Sequence, residues 1–161
     1  MTVPSPAAGP DASDLEKSHA DPFSEPVFSW RLRVYWEDTD AGGVVYHAGY
    51  LRFLERARTE WLRARGLGQT ELRERHGVLF VVREITTAFD KPARLDDELD
   101  ATVQLARLRS ASLELRQSLR RAPDGQILTR AQVRVACVEA DTWQPCRVPE
   151  AVANLIEDNL H

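Results

Sequence analysis

One stretch of this chain carries the period of a long helix, and most of what flanks it carries the period of a strand. Tyr50, Phe53, Leu54, Ala57 and Trp61 recur at three- and four-residue spacing, which predicts a helix from about 48 to 65 with a wide apolar stripe. Gly66 and Gly68 are stop signals after it, and a shorter helical piece is expected over 69–76. Before it, Phe28, Trp30, Leu32, Val34 and Trp36 alternate with Ser29, Arg31, Arg33 and Tyr35, the pattern of a half-buried strand. After Gly77, Val78 to Phe89 reads as one long strand. Leu99, Ala101, Val103 and Leu105 mark a second. Leu113, Leu115 and Leu119 mark a third. A turn at Pro123-Asp124-Gly125 leads to a fourth, with Ala131, Val133, Val135 and Cys137 on one face. Pro149 opens a short helix carrying Val152, Leu155, Ile156 and Leu160. One long helix among long strands packs most economically as an α+β domain, an antiparallel sheet wrapped around that helix. A single helix covers one sheet face. The other is expected to pack on a second copy, so the chain should be at least a dimer.

The chain has 161 residues, room for one core. Its net charge of -4 excludes a generally basic nucleic-acid binder. The negative charge sits in residues 1–26, where Asp11, Asp14, Glu16, Asp21 and Glu25 face only Lys17. That segment is rich in Pro, Ala, Ser and Asp and poor in apolar anchors, so it is expected to be a disordered tail, with the folded domain over 27–161. Cys137 and Cys146 are too few for a disulfide framework or a four-cysteine zinc site, and read as a buried thiol and a loop thiol. No run of about 18 apolar residues predicts a membrane span, and the first residues lack the pattern of a secretory signal. The expected compartment is the cytoplasm.

Chemistry concentrates between Tyr35 and Tyr50. Glu37, Asp38 and Asp40 are followed by Gly42, Gly43 and then His47, at the start of the main helix. The first N–H groups of a helix carry partial positive charge and can polarise a carbonyl or hold an oxyanion. A carboxylate beside such an end suits acyl transfer or hydrolysis. The same residues could equally form a solvated turn with capping acids.

The run from Val34 to Arg58, through Asp38-Thr39-Asp40-Ala41-Gly42-Gly43-Val44-Val45-Tyr46-His47 and Glu55-Arg56-Ala57-Arg58, resembles the YbgC-like acyl-CoA thioesterases. These form part of the 4-hydroxybenzoyl-CoA thioesterase branch of the hotdog superfamily. The resemblance continues through Phe80-Val81-Val82-Arg83 and Pro92-Ala93-Arg94-Leu95-Asp96-Asp97, and covers nearly all of 28–148. It implies a hotdog fold assembled into homodimers or homotetramers, and hydrolysis of acyl-CoA without metal or organic cofactor. It implies Asp40 as the catalytic carboxylate, acting as nucleophile or as general base. A backbone N–H near His47 would polarise the thioester carbonyl, with the His47 imidazole as a positioning group. Gly49 departs from the Asn or Ser of relatives and leaves the helix start open.

Matching the strand at Ser112-Leu113 to the family implies that Arg109 and Ser112 contact the nucleotide end of coenzyme A. Tyr50 either lines the acyl pocket or packs in the core. Asp38 is expected to hold the loop by hydrogen bonds, and Glu55 and Arg58 to pair along the helix. Association with the Tol-Pal envelope system or an acyl carrier, as an enzyme or as a non-catalytic module, is implied as a further role. A hotdog hydratase and a metal site of Asp38, Asp40 and His47 are the remaining readings.

Overall fold

The computed structural model describes residues 21–23 and 28–158. The expected tail over 1–26 therefore lies outside the described residues save for 21–23, as does Leu160. Five strands and three helices follow the expected order. They are β1 (Phe28–Arg33), α1 (His47–Arg63), α2 (Gln69–His76), β2 (Val78–Phe89), β3 (Glu98–Leu108), β4 (Ser112–Arg121), β5 (Ile127–Glu139) and α3 (Glu150–Glu157). All strand pairs are antiparallel, in the order β1-β3-β4-β5-β2.

Register aligns the apolar phase of each strand into rows beneath α1. Trp30, Ala101, Leu119 and Thr129 form one row, and Leu105, Leu115, Val133 and Ile85 another. Against these rows α1 buries Tyr50, Phe53, Leu54, Ala57 and Trp61, the stripe read from the sequence. Leu72 of α2 and Val152 and Ile156 of α3 close the ends of the same core. Among the described residues no helix is long and apolar enough to cross a membrane.

Two expectations are corrected. The first strand ends at Arg33, and Trp36 is not on it: Trp36–Asp38 form a 3-10 turn, leaving Trp36 81% exposed and Glu37 in that turn. The cause is Asp38, whose Oδ2 accepts the Tyr35 N–H at 2.8 Å and bends the chain away from the sheet. Glu55 and Arg58 form no mutual hydrogen bond. Arg58 Nη1 donates to Gln117 Oε1 at 2.8 Å, while Glu55 Oε1 accepts the Thr59 hydroxyl at 2.9 Å. The second sheet face is polar and so does not by itself demand a second copy. That face carries Arg31 paired with Asp100 at 3.0 Å and Arg134 paired with Glu84 at 3.1 Å, among other polar side chains that face water without penalty. What the sheet leaves unpaired among the described residues is its two edges, β1 and the longer β2. β2 pairs only with β5 among the described residues, so one side of its twelve-residue backbone is open, with Val82 and Phe89 about half exposed.

Candidate active site

Asp40 sits in a short loop that folds back on itself between β1 and α1. Thr39 and Val45 form an antiparallel bridge, and the Asp40 N–H donates to the Val44 carbonyl at 2.9 Å. The Gly43 N–H returns to the Asp40 carbonyl at 3.0 Å, with Gly43 at φ +75°, a conformation that strains any side chain. Asp40 Oδ1 accepts the Gly42 N–H at 2.8 Å, which fixes the carboxylate over its own turn. The loop is backed by the segment after β2. Val45 donates to Ala93 O at 2.9 Å, Val34 donates to Asp97 O at 2.9 Å, and Val44 bridges Arg94. Asp40 opens into a cleft shared with Trp36, Thr39 and Leu95, so an exposed carboxylate stands beside two exposed apolar side chains.

Asp38 faces the other way. It is buried, holds the Tyr35 N–H through one oxygen, and has Arg52 Nη2 at 3.7 Å from the other. This is the loop-holding role expected for it. α1 starts at His47, whose exposed ring meets the Tyr46 ring edge-on with centroids 5.6 Å apart. The residue before the helix is Tyr46, and no side chain caps the helix start. The helix start left open by Gly49 is at His47, and a Cβ at position 49 would lie 2.8 Å from Val45 Cγ1, so a side chain there requires Val45 to shift.

Tyr50 is 4% exposed, its hydroxyl accepts the Ala93 N–H at 3.0 Å, and its ring packs on Phe89 with centroids 5.4 Å apart. Tyr50 thus packs between α1 and the Ala93 segment that backs the Asp40 loop. Arg109 and Ser112 flank the β3–β4 turn, where the Arg109 N–H donates to Ser112 O at 2.8 Å and Arg109 Nε pairs with Glu114 at 2.8 Å. That turn is at the far end of β3 from the Asp40 loop, on the order of 30 Å away at about 3.3 Å per residue. One protomer does not bring Asp40 together with Arg109 and Ser112. Among the described residues no three His, Cys, Asp or Glu side chains gather as metal ligands.

Sequence reading missed Gln117. It is wholly buried on β4, and its Nε2 donates to Leu54 O of α1 at 3.0 Å while its Oε1 receives Arg58. Burial lowers the pKa of the Arg58 guanidinium, opposed by the charge of Glu55. Arg58, Glu55 and Thr59 line a cleft against Phe80, Val82 and Leu115, beside the open β2 edge.

The model of the family described as "Thioesterase-like superfamily" matches residues 34–156. The chain belongs to that family. It is 44% identical over 126 residues to the acyl-CoA thioester hydrolase YbgC of Escherichia coli O6:H1, covering 78% of this chain and 92% of that one. It is 42% identical over 125 residues to the acyl-CoA thioesterase YbgC of Haemophilus influenzae, covering 78% and 90%. Among solved structures, a probable thioesterase from Bartonella henselae superposes with a TM-score of 0.70 at 35% identity, covering 76% of this chain and 98% of that one. The fold is accordingly the thioesterase hotdog: sheet outside, α1 within.

Proposed function

We propose that this thioesterase-family chain hydrolyses acyl-CoA thioesters to the free acid and coenzyme A. Supporting the reading is a carboxylate pinned over its own glycine turn, in the loop whose chain leads directly into an uncapped helix start. The thioester carbonyl oxygen would sit at the N–H groups that open α1, where the developing negative charge is stabilised. Asp40 would then act in one of two ways. As nucleophile, its oxygen bonds to the acyl carbon, the C–S bond breaks, and coenzyme A leaves as thiolate. Water then cleaves the mixed anhydride. As general base, Asp40 takes a proton from water as the water oxygen attacks the same carbon, the C–S bond then breaks, and the departing coenzyme A thiolate takes up that proton. Both routes need only water as co-substrate. His47 would orient the carbonyl from the first turn. Tyr50 would shape the site from behind through Ala93, and Arg109 and Ser112 would hold the nucleotide. Their separation from Asp40 in one protomer would be met if a second copy supplied one of the two groups, and the open β2 edge is where the copies would join. An acyl-CoA hydrolase of this kind belongs in the cytoplasm, with its substrate.

The test is hydrolysis of an acyl-CoA panel followed by a free-thiol reporter. Asp40→Asn should lower kcat by about 10²–10⁴ and change KM less, because Asn keeps the shape but is a poor nucleophile and base. His47→Ala should fall between Asp40→Asn and a mild Glu37→Gln. Wild-type turnover in Asp40→Asn would move the chemistry elsewhere. Indifference of all three variants would replace the enzyme with a binding module.

A further inference from the structure

Neither cysteine takes part in the chemistry above, yet the fold brings the two together. After β5 the chain turns through Asp141–Trp143 and runs back along it. Glu139 N–H donates to Gln144 O at 2.9 Å, Cys146 N–H donates to Cys137 O at 3.0 Å, and Val138 bridges Pro145. That register sets Cys146 directly opposite Cys137, with the sulfurs 3.6 Å apart. Only one of the two bonds of a closed pair is made, since the Cys137 N–H goes to Ala111 O at 2.9 Å, but residues facing each other across antiparallel chains have Cα atoms about 4.5–5.5 Å apart, inside the range of about 4.4–6.8 Å that a disulfide spans. Closing the remaining gap therefore asks for side-chain rotation and not for backbone movement. The two thiols also differ in access. Cys137 is buried, and burial pushes its thiol up to about 12, so it stays protonated at neutral pH. Cys146 is partly exposed and opens into a cleft with His76, Glu139 and Arg147.

We propose that Cys137 and Cys146 are a modification site for hydroperoxides, at which they form a reversible intramolecular disulfide that ties the segment leading to α3 onto β5. Cys146 reacts first. Its sulfur, as thiolate, attacks one peroxide oxygen, the O–O bond breaks, and the departing hydroxide takes up a proton to leave as water. Cys146 is then a sulfenic acid. The Cys137 proton passes to the sulfenic oxygen as the Cys137 sulfur attacks the Cys146 sulfur, an S–S bond forms, and the S–O bond breaks. The second hydroxide leaves as water with the Cys137 proton. One peroxide is reduced to two waters and two thiols are oxidised.

The experiment treats the full chain with hydrogen peroxide, quenches with an alkylating agent under denaturing conditions, and reads masses with and without dithiothreitol. Both cysteines lie in one tryptic peptide, 135–147, between Arg134 and the Arg147 cleavage point. That peptide should lose about 2 Da, the two thiol hydrogens, resist alkylation, and recover both on reduction. Cleavage after Glu139 should leave its halves joined. In Cys146→Ser, peroxide should leave Cys137 reduced and alkylatable. Over-oxidation of Cys146 while Cys137 remains alkylatable would overturn the proposal. So would a link between two chains, absence of any oxidation, or unchanged oxidation of Cys137 in Cys146→Ser.

Discussion

Gly49 and Val45 meet at the start of α1 so closely that one added methyl group would lie 2.8 Å from Val45 Cγ1. The helix start and the Asp40 loop are thereby locked together by the absence of an atom. Gly49→Ala should cost about 1–3 kcal/mol, the usual range for overpacking a filled site. Because Val45 is the atom's obstacle, Gly49→Ala with Val45→Ala should lose less than the sum of the two single changes. Denaturant midpoints of the four proteins test this. Strict additivity would mean that the backbone, and not Val45, absorbs the methyl.

Gln117 joins sheet to helix from inside the core. Gln117→Ala should cost about 2–4 kcal/mol, because it opens a cavity and strips Arg58 of its acceptor in a desolvated place. Gln117→Leu refills the volume without the acceptor and should cost less. A midpoint unchanged in Gln117→Ala would show that the network contributes nothing.

Arg109→Ala should raise KM for acyl-CoA and leave hydrolysis of a truncated pantetheine thioester untouched, because a nucleotide contact supplies binding remote from the reacting carbon. Glu114 holds this guanidinium in the present structure. Glu114→Ala, which releases it, should therefore not raise KM. Equal loss on both substrates in Arg109→Ala would assign the arginine to the hairpin's stability.

Assembly should run through β2. Sedimentation at micromolar concentration should give at least twice the chain mass of 18.2 kDa, and Val82→Lys, a charge on the open edge, should shift it toward monomer. A wild-type monomer would remove the second copy from the proposed site.

Much of the fold was legible because period 2 and period 3.6 alternate cleanly along the chain. β2 and α2 fall where the sequence places them, and α1 differs by one or two residues at each end. Trp36 leaves the strand because a carboxylate two residues on takes a backbone N–H and turns the chain, which alternation alone does not encode. The polarity of the sheet's outer face is legible in the phase of Arg31, Asp100, Arg120 and Arg134, which a count of helices alone passes over. Gln117 shares the phase of Leu113, Leu115 and Leu119, and that was the available signal of a buried amide. The site loop was readable as a motif, but its backing by Ala93 and Asp97 depends on long-range pairing that no local pattern encodes. The meeting of Cys137 and Cys146 depends likewise on the register of a turn.

The strand order also sets an order of events in time. β3, β4 and β5 are neighbours in both sequence and space, joined by short turns, whereas β1 must close a loop of some seventy residues to reach β3. Loop-closure entropy favours the local meander first and the arrival of β1 afterwards. The Asp40 loop hangs from the end of β1 and rests on residues just before β3, so it takes shape among the last parts of the molecule to form. Destabilising changes there should quicken unfolding far more than they slow folding. The chemistry would thus be the final thing the chain builds and the first that it gives up.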